Sequence, residues 1–338
     1  MLNIIISLDY ELFGPGSGDI KKHIIGPTNK ILDICEDNDV PLTIMFEACE
    51  YMKFEEFDTE LRKHLGYSPA ELIKEQIGRA AKRGHDVQLH IHPQWVDAAY
   101  KDRQWAIKQY PRLINDLSQD RIYETLRKGK EKLINILENI NPDYKCNTIR
   151  FTGYDWIEAP PETFNALERL EIKAHSLADY CADENRKGYW PLTIDNKVFE
   201  IPIHSIRLPK YKIFSILRIL TALYVCFLAG KTKADFRKKA ADLTFKSKYP
   251  FLVSFFKDTY KQKWDFCKQT ASEMLFFLES ALEKYDHKNY EIPLVMIGHS
   301  NIFFSAREFE KFLKITKEKY VSSGILRFSI FQEFVRKI

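Results

Sequence analysis

The apolar positions of this chain follow two alternating patterns. Continuous runs rich in β-branched residues occur at 3–8 (NIIISL), 40–46 (VPLTIMF) and 146–151 (CNTIRF). Similar short runs fall at 171–176, 197–203, 293–298 and 325–329. Runs of this kind predict strands buried on both faces. Between them the apolar residues recur with a helical period, which predicts helices over 27–38, 120–140 and 161–170. A further helix is marked at both ends. Ser68-Pro69-Ala70-Glu71 combines a capping serine, a first-turn proline and a capping-box glutamate, and Gly84 closes the helix. The segment 84–95 (GHDVQLHIHPQW) follows at once and predicts the next strand. Strands alternating with helices over ~300 residues predict a parallel α/β barrel or open sheet. No internal repeat or low-complexity linker divides the chain, so one domain over 1–338 is expected.

One stretch breaks the rhythm. From Arg207 to Lys268 there are fifteen Lys/Arg against four Asp, a local excess of eleven positive charges in a chain whose net charge is +4. Within it, Ile213 to Gly230 is apolar apart from Arg218, Ser215, Thr221 and the closing glycine. Eighteen residues are at the lower limit for a membrane span, and an arginine near the middle is costly there. A basic, largely helical insertion at about 207–270 is expected. Its apolar helix is expected to be buried or dimer-forming, with contact to an anionic membrane surface and, last, a transmembrane span as the alternatives.

The remaining composition is that of a soluble globular protein, 45% hydrophobic and 29% charged. The modest overall charge predicts no nucleic-acid partner. Six cysteines are spread evenly with no CxxC pair, which predicts free thiols in a reducing compartment. The start, MLNIIISLDYE, has no basic region followed by a long apolar one. A cytoplasmic protein without a secretory signal is therefore expected, peripheral at the inner membrane face if the basic segment binds lipid.

The candidate chemistry centres on the segment 84–95. On a strand, His90 and His92 point to one face together with Gln88 and Gln94, while His85 points to the other. Paired imidazoles on one face are either hydrogen-bonded or metal-ligating. The ends of the other strands carry similar groups. Asp9 and Glu11 follow the first, and Arg150 with Thr152 to Trp156 follows the fourth. His175-Ser176, His204-Ser205 and Gly298-His299-Ser300-Asn301 follow later ones. Active sites of α/β barrels gather at the C-terminal strand ends. Acids, imidazoles and an arginine recurring at that end predict a metal-centred active site.

In order and spacing these motifs resemble the polysaccharide deacetylases with NodB-type homology, carbohydrate esterase family 4. Ser7-Leu8-Asp9-Tyr10-Glu11 stands where that family has a Thr-Phe-Asp-Asp type motif. Leu42-Thr43-Ile44-Met45-Phe46 resembles its second strand, and Gly84 to His90 its Gly-His-Glu-Ile-Gly-x-His motif. Ile149 to Gly153, Glu200-Ile201-Pro202 and Val295 to His299 resemble its arginine, Glu-Ile-Pro and final histidine motifs. The resemblance runs from residue 3 to about 328, outside the basic insertion.

The resemblance implies an α/β fold, a distorted (β/α)7 barrel, and one divalent metal ion, with Zn2+ expected. It implies hydrolysis of an N-acetyl group on an amino sugar in a polysaccharide, lipid-linked glycan or sugar precursor. The setting expected for a member without a signal peptide is bacterial surface-polysaccharide (O-antigen, lipopolysaccharide) biosynthesis. Two positions depart from the family pattern: Tyr10 replaces its second aspartate, and Gln94 stands where its second histidine ligand usually lies. The metal ligands are accordingly expected to be Glu11, His90 and His92. Asp9 is expected as general base, Arg150 as its partner and His299 as general acid. Two alternatives stay open: the roles of Asp9 and Glu11 exchanged, or both acids bound to the metal. Gln94, Trp95, Tyr154 and Trp156 are expected to face substrate, and His85 to support the fold. The basic segment 207–268 is expected to meet an anionic membrane surface or acidic glycan. Two other readings stay open: a different metal-dependent amide or ester hydrolase, and an inactive glycan-binding or assembly protein.

Overall fold

The strand-forming runs assemble into one curled sheet. In the computed structural model, residues 1–14, 16–108, 111, 113–152, 161–176, 192–194, 198–209 and 259–336 are described. The strands of the curl are β1 (Leu2–Tyr10), β2 (Thr43–Glu47), β3 (Asp86–Ile91), β4 (Thr148–Phe151), β5 (Ala174–His175), β6 (Val198–Glu200) and β7 (Ile292–His299). Their order is β7-β1-β2-β3-β4-β5-β6, parallel throughout. A short β8 (Leu326–Ser329) pairs with the first half of β1, where β2 does not reach. Leu192–Ile194 adds an antiparallel edge to β6. After β6 the chain returns to β7 through parallel bridges, Ile203 to Val295 and Asp265 to Ile297. The curl is thus drawn together by single bridges instead of a full strand, which is the distortion of this barrel.

Side-chain parity separates two layers. Ile4, Ile6, Leu8 and Tyr10 of β1, Val87, Leu89 and Ile91 of β3, and Ile149 and Phe151 of β4 face outward. They pack in one large core with the helices Gly26–Asp37, Ala48–Glu56, Pro69–Lys82 and Gln119–Leu137. The opposite parity faces inward. There a small apolar cluster of Ile5, Met45, Ala174, Val295 and Ile297 meets Phe331, Phe334 and Val335 of the last helix, which plugs the N-terminal end. Toward the C-terminal end the inward positions turn polar: Ser7, Asp9, His90 and Arg150, all buried.

The helix over Pro69–Lys82 starts and stops as its residues predict. Ser68 Oγ accepts from the Glu71 amide at 3.1 Å, and Gly84 takes the left-handed conformation at φ +87° that ends it cheaply. The basic segment begins differently from expectation. Its base is an antiparallel strand pair, Ser205–Pro209 with Thr259–Lys263, so the chain leaves and returns at adjacent points. Residues 210–258, including the apolar 213–230, lie outside the described residues, as do Cys181 and Cys226. Among the described residues no helix is long and apolar enough to cross a membrane. The other four cysteines are buried free thiols.

Candidate functional site

β1 carries Asp9 inward at its end and releases Glu11 just beyond. Asp9 is 5% exposed, and one of its oxygens accepts from the Arg150 guanidinium. Arg150 comes from β4 and is 1% exposed, with every arm engaged. It donates to Ser176 O at 2.7 Å, Ser7 Oγ at 3.0 Å and Ser176 Oγ at 3.1 Å. Burial pushes the Asp9 carboxyl up, but Arg150, then His90 and His299, outweigh it and hold it below its ordinary value. The other Asp9 oxygen lies 3.6 Å from His299 Nε2, at the end of β7. Burial, then Lys268, pushes the His299 imidazole down, so it is neutral at rest. Its buried Nδ1 has no hydrogen-bond partner among the described residues.

Glu11, His90 and His92 come together beside this pair. Glu11 Oε2 is 3.2 Å from His90 Nε2 and 2.9 Å from His92 Nε2, and the two Nε2 atoms are 2.9 Å apart. Main-chain contacts set Glu11 in place. Ser300 Oγ accepts from its amide and donates to its carbonyl, and Asn301 Nδ2 donates to the same carbonyl. His90 Nδ1 lies 2.7 Å from the Arg150 carbonyl, which can only accept. The proton is therefore on Nδ1, and Nε2 turns its lone pair to the cluster.

This donor set fits a divalent cation. Two imidazole nitrogens and a carboxylate oxygen crowd within 4.8 Å of one another, and protons alone cannot bridge all three. Tetrahedral ligands at 2.0–2.1 Å from a zinc-like ion stand about 3.3 Å apart, close to the spacing found. Burial raises the Glu11 pKa, but His92 and His90 outweigh it and hold it well below the usual range.

Tyr10 is no part of this cluster. Its parity sends it outward, where its hydroxyl donates to Gln76 Oε1 at 2.8 Å. Glu11 occupies the inward place instead. His92 also differs from expectation. β3 ends at Ile91, so His92 lies beyond the ladder and reaches the cluster from the turn before Pro93–Trp95. Its amide is held by Glu47 Oε1 at 2.7 Å. Glu47, at the end of β2 opposite His90, also takes the Glu50 amide, and both Glu50 oxygens take the Leu12 amide at 3.1 Å. These two buried acids fix the segments that carry His92 and Glu11. Burial lifts Glu47 to about 7, and burial with Glu47 lifts Glu50 well above its ordinary value.

Several expected substrate-facing or strand-end residues are placed elsewhere. Trp95 is 1% exposed and packs edge-on against Phe54 and Trp105, because the turn rolls it into the core. Gln94 donates to Gly14 O at 2.7 Å and ties two loops together. Tyr154 and Trp156 lie outside the described residues. His85 accepts from the Leu42 amide at 3.1 Å and supports the fold. His175 packs on the outward Phe151 and pairs with Glu200 at 2.6 Å, away from the cluster. His204 is buried among Trp264, Phe277 and Tyr285, and burial pushes its pKa down to about 4.

No family model matches the sequence, and no curated protein matches it. Solved structures do. A protein from Mycobacterium smegmatis described as a polysaccharide deacetylase aligns with 100% of this chain and 90% of its own, at 13% identity and TM-score 0.50. The Xyl-CE4 domain of a multidomain xylanase from the hindgut metagenome of Trinervitermes trinervoides aligns over 99% and 90% at 8% identity, TM-score 0.41. The catalytic domain of a peptidoglycan N-acetylglucosamine deacetylase from Eubacterium rectale aligns over 98% and 88% at 10% identity, TM-score 0.39. Only the first is near enough to argue from, and at that identity it speaks for fold. The chain thus has the fold of that Mycobacterium smegmatis protein, the distorted (β/α)7 arrangement that its strand-end motifs resemble.

Proposed function

We propose that this chain is a metal-dependent hydrolase that removes an N-acetyl group from an amino sugar in a glycan or glycan precursor. The observation that carries the reading is the meeting of Glu11, His90 and His92 beside the buried Asp9–Arg150 pair. Glu11, His90 and His92 would hold one divalent ion. What the ion would supply there is Lewis acidity, polarising the acetyl carbonyl and making water more acidic.

The chain's own residues supply the proton movements. Arg150 keeps Asp9 ionised and aimed, so Asp9 serves as general base toward the attacking water. His299, neutral at rest and 3.6 Å from Asp9, is placed to receive that proton and hand it to the departing amine. An amide nitrogen cannot leave as an anion, so this acid is required. Ser300 and Asn301 position Glu11, and Glu47 positions His92.

The test is acetate release from N-acetylated amino sugars, sugar nucleotides and lipid-linked sugars by protein loaded with Zn2+. Asp9→Asn and His299→Ala should each lower kcat by about 10²–10⁴-fold. Acetate release unchanged in both variants would sink the assignment. For the basic segment 207–268 we keep the proposal of contact with an anionic membrane surface or acidic glycan. Lack of salt-sensitive binding to phosphatidylserine vesicles and to acidic polysaccharide would exclude it.

A further inference from the structure

The histidine placed as general acid has little to hold its ring. His299 Nδ1 is buried with no hydrogen-bond partner among the described residues, and Nε2 stands 3.6 Å from Asp9, beyond hydrogen-bond length. His90 differs, since its Nδ1 is anchored on the Arg150 carbonyl at 2.7 Å. The aim of the His299 ring therefore depends on its main chain. We propose that the Cys267 thiol is a positioning residue for His299, gripping that main chain so that Nε2 stays directed at Asp9 and the leaving amine; this rests on the deacetylase reading.

The thiol takes both main-chain groups of one residue. The His299 amide donates to Cys267 Sγ at 3.3 Å, and the thiol donates to the His299 carbonyl at 3.4 Å. Cysteine can do both, as a weak donor and a weak acceptor. Cys267 is fully buried. Burial, then Asp265, pushes its pKa well above the ordinary thiol value, so the donor proton stays on sulfur.

The neighbouring main chain shows why a side chain is needed here. Residues 264–266 run beside β7, with Ile297 N donating to Trp264 O at 2.9 Å and Phe266 N to Ile297 O at 3.0 Å. Two residues on, a continuing ladder would pair the His299 amide with Phe266 O and the His299 carbonyl with Lys268 N. Both partners are engaged elsewhere. Phe266 O accepts from Ser305 Oγ at 2.7 Å, and Lys268 N turns back to Asp265 O at 3.2 Å. Buried main-chain groups must find partners, and Cys267 supplies both in place of the missing rung.

The thiol is itself set from two sides. Asp265 Oδ1 accepts from the Cys267 amide at 2.9 Å, and Oδ2 pairs with Lys268 at 2.9 Å. On the other side, Phe266 presses on the β7 backbone so closely that a Cβ on Gly298 would stand 2.2 Å from its ring. Space filling alone accounts for a buried small side chain. It does not account for two hydrogen bonds to the one residue that carries the acid.

The test separates aim from fold and from hydrolysis. Cys267→Ala removes both hydrogen bonds, Cys267→Val does so without leaving a cavity, and Cys267→Ser restores a donor and an acceptor. Rates are compared on an N-acetylated amino sugar and on para-nitrophenyl acetate, whose phenolate leaves without a proton. A displaced general acid slows only the amide. In the alanine and valine variants the amide-to-ester ratio of kcat should fall about tenfold, short of the ~100-fold of a full ångström of misplacement, with KM nearly unchanged. Cys267→Ser should recover most of the ratio. Independently of turnover, the His299 ring signals are followed by NMR in protein with labelled histidine, assigned by their absence in His299→Ala. They should shift in the alanine and valine variants and return in the serine variant, while those of His85 stay fixed. Unmoved His299 signals, amide and ester rates falling together, an unchanged ratio in an active enzyme, or serine behaving like alanine would overturn the role. Wild-type protein that releases no acetate from any amide, with the His299 signals moving as stated, counts against the hydrolase reading and not against the grip of Cys267.

Discussion

Replacing Arg150 by methionine leaves Asp9 ionised in a closed interior. Arg150 is 1% exposed and Asp9 5%, so solvent screens neither. Breaking one side of a buried pair costs about 3–5 kcal/mol. Three further hydrogen bonds from the guanidinium to Ser7 and Ser176 disappear as well. The pH dependence should reverse. In the native protein Asp9 lies below its ordinary value, so its contribution is present above the unfolded carboxylate pKa of ~3.9 and is lost as pH falls through the lower folded value. In Arg150→Met, burial loses its largest opponent and the folded pKa moves above ~3.9. The variant's deficit should then be greatest near pH 7.5 and shrink as pH falls toward 4. Urea unfolding of wild type and variant across that range measures it. Asp9→Asn in the same chain should restore at least about 2 kcal/mol at pH 7.5, since no buried charge remains. A single-variant cost below about 1 kcal/mol, or one independent of pH, would refute the buried pair.

Two other substitutions probe neighbouring positions. Tyr10→Phe removes one buried hydrogen bond to Gln76 and should cost about 1–2 kcal/mol while leaving metal affinity unchanged; a lost metal site would show that Tyr10 faces the cluster after all. Asp86 is lifted to about 6 by burial, so its own contribution to stability grows as pH falls from 7 toward 4; Asp86→Asn should remove on the order of 3 kcal/mol from the pH dependence read in urea titrations, and an unchanged pH dependence would contradict it.

Much of the fold is legible because fully buried parallel strands are continuous apolar runs, and β1, β2, β4 and β7 read directly. Parity alone also places Asp9 and His90 inward. The shorter strands are less visible. β5 holds only Ala174–His175, and β6 stops at Glu200 before its predicted end, because the ring closes by isolated bridges. No local pattern reports such bridges. The same is true of Ser205–Pro209 pairing with Thr259–Lys263, a contact across fifty residues of chain. Glu47 ends β2 opposite His90, so its place at a strand end is as legible in the sequence as those of Asp9 and Arg150. Glu50 has no such signal, since its role arises from the Leu12 amide turning toward it. Trp95 reads as a stacking residue and is core, because the turn after His92 reverses its direction.

The central claim is that Glu11, His90 and His92 together hold one divalent ion. Calorimetric titration of chelator-treated protein with Zn2+ tests it most directly. One ion per chain should bind, and Glu11→Gln, His90→Ala and His92→Ala should each weaken binding by at least about 100-fold. No binding by the wild type, or binding unchanged in all three variants, would contradict it.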